Sequence, residues 1–274
     1  MSVPLDAATT GEPVELSLLE FDVLVEHLGL GAVPLVLRTP SPGRTHTERR
    51  ELVEGVWRSV EERKLGANGE LDEELGRVLR LLDSPRREVD GRCWLGRSVR
   101  VLVAGTGCSE SDEAVLVVKE EDRVRVRPAA TTGMPREALT VLPDLPAGEG
   151  RSVTLPSEAL DAAAEEAADD PMALRDALYR RGVRAEDAEM LTGMLDGVNH
   201  RGQFGVAVRG RSGRRRGDHV VGFFDSAGGR YAQLRTPAPS GEPWSTITPV
   251  GHRGLLARVE ELLLTTAERA LAGH

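Results

Sequence analysis

The hydrophobic pattern of this chain changes from helical spacing to strand alternation, and the same change occurs twice. In the first half, helical spacing predicts a helix in each of three segments, and alternating Val and Leu residues then predict strands. The helical segments are SLLEFDVLVEHLG, TERRELVEGVWRSVEERKLG, which we expect to end at Gly66, and ELDEELGRVLRLLDSP. The strand segments are RSVRVLVAG and AVLVVKEEDRVRVRP, and a further short strand, VPLVL, is predicted between the first two helices.

The second half repeats this order. A strand at LTVLPD leads through a Pro/Gly-rich turn into an Ala-rich helix, and two more helices follow at DPMALRDALYRRGV and RAEDAEMLTGMLDGV. Strands are predicted at GQFGVAVRG and within DHVVGFFDSAGGRYAQLR. A last helix, HRGLLARVEELLLTTAERALA, carries Leu255, Val259 and Leu262 on one face.

Matching residues suggest that the two halves arose by internal duplication. The offset is about 110 residues, far above the period of about 20–50 residues that marks solenoid repeats. We therefore expect two similar α/β halves, approximately residues 14–127 and 138–264, sharing one sheet by approximate two-fold symmetry within a single domain of residues 1–274. The matched groups are Gly43-Arg44-Thr45-His46-Thr47 with Gly150-Arg151-Ser152-Val153-Thr154, Asp72, Leu75 and Leu79 with Asp187, Met190 and Met194, and Val99, Val101, Val103 and Gly105 with Phe204, Val206, Val208 and Gly210.

A Pro/Gly-rich turn, PSPGRT, precedes the second helix and admits two interpretations. It could cradle a phosphate at the helix N-terminus, or it could be an ordinary capped turn. Thr45 stands three residues before Glu48, which is the spacing of a capping box, with Thr47 as a rival cap. The glycine spacing and the Lys-Ser/Thr pair of a phosphate loop are missing, so the sequence favours a structural turn.

The composition and the lack of certain segments argue against several classes of function. The net charge of −9 opposes general nucleic-acid binding, because the phosphate backbone would be repelled. Cys93 and Cys108 are too few for a metal cage or a disulfide framework, although one bridge is possible. The first residues, MSVPLDAATTGEP, lack the basic and apolar regions of a signal peptide, and no segment has the roughly 20 apolar residues of a membrane span. We therefore expect a cytoplasmic protein.

No catalytic constellation emerges from the remaining motifs. Gly105-Thr106-Gly107 hints at a dinucleotide fingerprint, but Glu110 replaces its third glycine and a strand follows, which favours a β-hairpin loop. The six histidines are scattered, and no serine lies in a Gly-x-Ser-x-Gly motif. The segment RGRSGRRRGDH could be a flexible hairpin tip or a contact for phosphate or acidic groups, and its arginines are Arg209, Arg211, Arg214, Arg215 and Arg216.

Several segments together resemble the EspG family of actinobacterial proteins associated with type VII (ESX) secretion. The resemblance runs from about Val14 to Leu264. Its most specific elements are Gly43, Thr45, Glu48 and Arg49 after the Pro-Leu segment, the Gly-Gln-Phe-Gly segment at residues 202–205, and the Asp-x-x-Gly-Gly-Arg-Tyr segment at residues 225–231. None of these is a catalytic motif.

The resemblance implies an α+β fold: a quasi-two-fold symmetric, central, largely antiparallel β-sheet with two helical bundles. It also implies a cytosolic chaperone without enzymatic activity or cofactor, which binds PE–PPE secretion substrates, or related WXG100-like helical pairs, and keeps them soluble for export. Neither nucleic acid nor membrane is an expected partner, and both a monomer and a homodimer remain open. An anion- or nucleic-acid-binding module using Arg209–Arg216, or an unrecognised enzyme, is the alternative.

The resemblance also places the partner-binding surface by region. It implies a hairpin loop at about residues 105–113 and the helices between residues 158 and 198. In the loop the candidate residues are Gly107, Ser109, Asp112 and Glu113. Met172, Met190 and Met194 could supply an adaptable apolar surface in the helices, although their helical spacing favours core packing.

The hairpin interpretation of AGTGCSESDEA generates a first test. We expect NAD, ATP and GTP to leave the melting temperature of the protein unchanged, because a ligand that binds the folded state must stabilise it. A thermal-shift titration checks this, and a saturable rise with any of the three nucleotides would contradict it.

Overall fold

The computed structural model describes residues 12–31, 33–109, 111–168, 170–237 and 241–272, and the chain divides into two compact units. The described residues of unit 1 lie within Met1–Gly91, Val99–Val141 and Val208–Arg214. Those of unit 2 lie within Arg92–Ser98, Leu142–Ala207 and Arg215–His274.

The helices and strands follow one another in a regular order. The first half contains β1 (Val14–Ser17), α1 (Leu18–His27), a 3-10 turn (Leu35–Leu37), α2 (His46–Glu62), β2 (Gly66–Ala67), β3 (Glu70–Leu71), α3 (Glu73–Arg80), β4 (Arg87–Leu95), β5 (Ser98–Gly105), β6 (Ala114–Glu120), β7 (Arg123–Ala129), a second 3-10 turn (Thr131–Gly133) and α4 (Met134–Leu139). The second half contains β8 (Val153–Pro156), α5 (Ser157–Ala167), α6 (Pro171–Arg180), α7 (Ala185–Leu195), β9 (His200–Gly210), β10 (Gly213–Arg216), β11 (Val221–Ser226), β12 (Gly229–Pro237), β13 (Pro243–Pro249) and α8 (His252–Ala272).

Antiparallel pairing builds the sheet in each unit. In unit 1 the strands lie in the order β1-β7-β6-β5-β4. In unit 2 the order is β9-β11-β12-β13-β8. Strand β10 pairs with β9, and residues Val208–Arg214 of these two strands belong to unit 1. The register places Val103 opposite Leu116 in the first set and Phe223 opposite Ala232 in the second. The fold is α+β with a large antiparallel sheet and several helices, which confirms the fold class that the family resemblance implies.

Side chains at the helix starts explain where the helices begin. Thr45 and Glu48 form the predicted capping box of α2: the Thr45 hydroxyl accepts from the Glu48 amide at 3.2 Å, and the Glu48 carboxylate accepts from the Thr45 amide at 3.1 Å. Ser17 caps α1 in the same way. Because the Glu48 carboxylate lies at the N-terminus of α2, a phosphate there would meet negative charge, and the turn is a structural cap.

Two apolar clusters hold the helices against the strands. Both consist mainly of Leu, Val and Ala, as the low aromatic content of 3% requires. In unit 1 the cluster includes Leu24 of α1, Val60 of α2, Leu79 of α3, Leu102 of β5 and Val117 of β6. In unit 2 it includes Leu160 of α5, Leu178 of α6, Leu191 of α7, Tyr231 of β12 and Ile247 of β13.

Some local predictions are wrong for physical reasons. VPLVL is a 3-10 turn rather than a strand, because the Leu37 amide turns back to the Pro34 carbonyl at 2.9 Å. The start of LTVLPD ends helix α4, and the strand of that region lies later, at β8. Helix α2 ends at Glu62 rather than at Gly66, which belongs to β2.

Strand β4 shows no apolar alternation, and the sequence pattern did not predict it. Its residues Glu88 and Asp90 are both buried. Burial of Glu88 is possible because Arg214 binds its two carboxylate oxygens, at 2.7 and 2.9 Å. That partner lies 126 residues further along the chain, so the strand depends on a tertiary contact.

The element order also corrects the residue matching between the halves. Apart from the 3-10 turn and the short β2–β3 pair of the first half, each half begins with a strand and three helices. The next strand is β4 in the first half and β9 in the second, so β9, which contains Phe204, takes the place of β4 rather than of β5, which contains Val99. The turn at Gly43 precedes a helix, whereas the segment at Gly150 leads into strand β8, so this pair does not correspond either. The internal repeat and its boundaries at residues 14–127 and 138–264 stay a prediction.

A fully buried ion pair fixes the strands of unit 2. Arg230 of β12 donates to both carboxylate oxygens of Asp225 of β11, at 2.7 and 3.0 Å, and neither side chain is exposed. The Arg230 guanidinium also donates to the Pro143 carbonyl at 2.8 Å and lies 5.6 Å from the Phe223 ring centroid. Buried charges of this kind are costly unless they are paired, so each depends on the other.

We expect Asp225→Asn to lower the free energy of unfolding by about 3–5 kcal/mol, because it leaves the Arg230 charge buried without its counter-ion. The matched control is Asp161→Asn, which breaks the exposed pair between Asp161 and Arg235 in the same unit and should cost no more than about 1 kcal/mol. Urea unfolding followed by circular dichroism measures both. Equal effects of the two substitutions would contradict the role given to the buried pair.

Candidate functional site

The β5–β6 loop, residues 106–113, is a hairpin connection, as predicted. The strands on either side pair from Gly105 opposite Ala114 to Val99 opposite Glu120. The Thr106 amide donates to the Glu113 carbonyl at 2.9 Å and closes the loop at its base. Cys108, Ser109 and Ser111 are exposed, and Glu110 lies outside the described residues.

Asp112 holds this loop in one conformation. Its carboxylate accepts from the Ser109 amide at 2.9 Å, from the Ser109 hydroxyl at 2.6 Å and from the Thr106 hydroxyl at 3.1 Å. A Cβ atom at Gly107 would lie 2.3 Å from an Asp112 carboxylate oxygen, so a side chain there would displace this carboxylate. Two of the predicted loop residues, Gly107 and Asp112, therefore shape the loop.

The hydrogen bonds from Ser109 lower the pKa of Asp112, and the one from Thr106 adds to this effect. A carboxyl group whose pKa is depressed in the folded state stabilises the fold at pH values above its unfolded pKa. That contribution disappears as the pH falls through the folded-state value. The loop is therefore held in its conformation at neutral pH and loses this anchor only in acid.

Two further contacts attach the loop to the rest of unit 1. The Thr131 hydroxyl donates to the Ser109 carbonyl at 2.8 Å, and Glu113 forms an ion pair with Arg77 of α3. Since Asp112 and Glu113 both have partners within the chain, substituting them would disturb the loop as well as any contact with a partner protein. Ser111, which is exposed, is the better position for probing such a contact.

The three candidate methionines have three different environments in unit 2. Met194 of α7 is buried in the core, with 2% of its surface exposed, and Met190 packs against the same core while remaining partly accessible. Met172, at the start of α6, is 63% exposed. Core packing, the favoured interpretation, therefore describes Met194 best, and Met172 is the methionine that presents an apolar surface.

Met190 and Met194 also line an open groove of about 630 Å³ in unit 2. Its opposite wall is the segment before β8, where Gly150 has φ +98° and a Cβ atom would lie 2.5 Å from the Met190 sulfur. Tyr231 supports that wall by donating a hydrogen bond to the Glu149 carbonyl at 3.1 Å. The groove therefore has an apolar interior whose shape depends on a glycine.

Charged residues surround this groove. Glu186 and Glu189 of α7 are exposed at its edge, together with Glu149. Arg151 forms an ion pair with the buried Asp187 at 2.7 Å, and this contact lowers the pKa of Asp187, with Arg184 contributing to the same shift. The sequence did not predict these glutamates as site residues, although Glu186 lies in the acidic first turn of α7.

The arginines of residues 209–216 form the predicted hairpin, in which β10 pairs with the end of β9. Arg214 belongs to the ion pair with Glu88, and this contact raises the pKa of Arg214. Arg209 and Arg211 are exposed. The hairpin thus contains both a structural arginine and accessible ones.

The described residues contain neither a candidate membrane-spanning helix nor a candidate metal cluster. Within those ranges no helix combines the length and the apolar character needed to cross a membrane. The same part of the chain contains no group of three or more His, Cys, Asp or Glu side chains arranged to hold a metal ion.

Comparison with solved structures defines the class of fold. The chain resembles EspG5, the type VII secretion system chaperone of Mycobacterium tuberculosis, whose structure was solved in complex with the PE25–PPE41 dimer. The TM-score is 0.69 at 16% sequence identity, and the match covers 93% of this chain and 96% of that one. No curated protein matches the sequence.

The sequence profile of the EspG family matches residues 17–261. The chain therefore belongs to the EspG family, and this confirms the resemblance drawn from its sequence motifs.

The anchoring of the β5–β6 loop is testable. We expect Asp112→Ala to speed hydrogen exchange at the Ser109 amide, because this amide loses its acceptor, while the melting temperature changes little. Ser111→Ala is the matched control, since among the described residues its hydroxyl bonds to the Ser109 hydroxyl and not to Asp112. Unchanged exchange at Ser109 in Asp112→Ala, measured by NMR, would show that another contact holds the loop.

Proposed function

We propose that this protein is a cytoplasmic chaperone for type VII secretion that binds a PE–PPE-like helical pair and keeps it soluble until export. The observation that carries the proposal is membership of the EspG family, matched over residues 17–261. Similarity over 93% of the chain to a chaperone whose solved complex contains a PE–PPE dimer supports the same partner class. WXG100-like helical pairs are the related alternative.

The mechanism is reversible masking of an apolar surface. The tip of a helical substrate pair exposes apolar side chains that would aggregate if they stayed uncovered. A chaperone covers them with a complementary surface and releases them later, which requires an interface of moderate size and partly polar character. This task needs a surface rather than a nucleophile, and we propose a binding role without catalysis.

Two surfaces suit this role, and each lies within one unit. In unit 1 the β5–β6 loop offers an exposed polar tip held by Asp112, so little conformational freedom is lost when a partner binds. In unit 2 the α5–α7 helices offer the exposed Met172 and the groove lined by Met190 and Met194. Flexible, polarizable methionine side chains adapt to different apolar partners.

Co-expression tests the proposal. PE–PPE pairs encoded in the same genome should remain in the soluble fraction and co-purify with this protein in size-exclusion chromatography. The PE25–PPE41 dimer serves as a non-cognate comparison. Continued aggregation of every such pair, and of WXG100-like pairs, would contradict the proposed function.

A substitution tests the helical surface. Met172→Glu should weaken the complex at least about tenfold, since a charge would replace an exposed apolar contact in the interface. The matched control is Leu264→Glu on α8, because Leu264 is 60% exposed and lies outside both proposed surfaces. Isothermal titration calorimetry measures both affinities, and equal losses would remove Met172 from the interface.

A further inference from the structure

Three exposed arginines of unit 1 lie beside the β5–β6 loop, and we name Arg86, Arg209 and Arg211 the basic edge. The Arg209 amide donates to the Arg86 carbonyl at 2.8 Å, so the two backbones are neighbours. The Arg86 amide donates to the carbonyl of Gly105, the last residue of β5 before the loop, at 3.0 Å. The basic edge is therefore continuous with the loop.

The hairpin that carries Arg209 and Arg211 is fixed in place. Arg214 binds Glu88 through two hydrogen bonds, and the Glu88 side chain is 3% exposed. This bidentate pair neutralises one arginine and anchors β10 to β4 within unit 1. The remaining arginines are thus presented on an ordered hairpin.

The adjacent loop carries Asp112 and Glu113, but these carboxylates bind Ser109 and Arg77 rather than the basic edge. Among the described residues, the side chains of Arg86, Arg209 and Arg211 form no hydrogen bond or ion pair. The chain as a whole carries a net charge of −9, so the positive charge of these three arginines is opposite in sign to that of the whole chain. Guanidinium groups bind carboxylates with paired, directional hydrogen bonds, which makes acidic side chains their natural partners.

We propose that the basic edge docks an acidic surface of the partner protein that also contacts the β5–β6 loop. This inference rests on the proposed function, because it assigns the partner to the same helical secretion substrate. The attraction would act mainly before contact, by steering the acidic surface of the substrate toward the loop and raising the association rate.

A protein partner suits this edge better than a nucleic acid. The segment from Gly205 to Gly217 contains no aromatic side chain on which a base could stack. The net charge of −9 would repel a long polyanion, and Asp112 and Glu113 of the adjacent loop add to this repulsion, whereas a compact acidic patch can face the three arginines alone.

The test measures association kinetics of the protein with its PE–PPE pair at low and high salt. The double variant Arg209→Glu/Arg211→Glu should associate about tenfold more slowly at low salt, and its rate should depend less on salt than that of the unmodified protein. The matched control is Arg50→Glu/Arg58→Glu on α2, which makes the same charge change at exposed positions of unit 1 away from the edge. Circular dichroism confirms folding of both variants.

Each outcome decides a different claim. Equal association rates for the two double variants would overturn the basic edge as a docking site while leaving the proposed function intact.

If the unmodified protein binds no helical pair, the proposed function fails. A labelled oligoglutamate peptide then tests the edge alone: saturable binding that only Arg209→Glu/Arg211→Glu abolishes supports it, and no binding overturns it.

The same proteins are assayed with a DNA duplex and with phosphatidylserine vesicles. Binding of either by the unmodified protein that Arg209→Glu/Arg211→Glu abolishes, with no change in association with the pair, would overturn the assignment to an acidic protein.

Discussion

The buried ion pair between Asp225 and Arg230 is the contact on which unit 2 depends. Both side chains are fully buried, and Arg230 has three roles at once. Its guanidinium neutralises Asp225 and donates to the Pro143 carbonyl, and its backbone bonds to Pro146, Gly148 and Val250. Arg230 thereby connects strands β11 and β12 to the segment that enters β8. The Asp-x-x-Gly-Gly-Arg-Tyr segment at residues 225–231, which is not a catalytic motif, therefore has a structural role.

This contact matters for the proposed partner surface because it positions a wall of the unit 2 groove. The segment that Arg230 holds continues to Glu149 and Gly150, which face Met190 across the groove. The neighbouring Tyr231 binds the Glu149 carbonyl and so extends the same support. A polar pair in the core thus determines the shape of an apolar surface, and the energetic cost of burying charge is offset by a defined geometry.

In unit 1, polar contacts also fix the two proposed surfaces. The β5–β6 loop is ordered by hydrogen bonds to Asp112 rather than by burial, and the hairpin of the basic edge is ordered by Glu88 and Arg214. Pre-ordered surfaces lose less entropy on binding than flexible ones, which suits the proposed role of binding a substrate and later releasing it. Both surfaces therefore combine accessibility with a fixed backbone.

The sequence by itself determined most of the helices, the capping box at Thr45, the β5–β6 hairpin and the family, because these follow from local periodicity, capping residues and motif order. Only the tertiary structure decided what depends on distant partners. Strand β4 carries buried acids that need Arg214, and Asp112 has an anchoring role that no spacing rule reveals. The exposures of Met172 and Met194 also differ although both lie in helices, because burial depends on which neighbouring element covers a side chain.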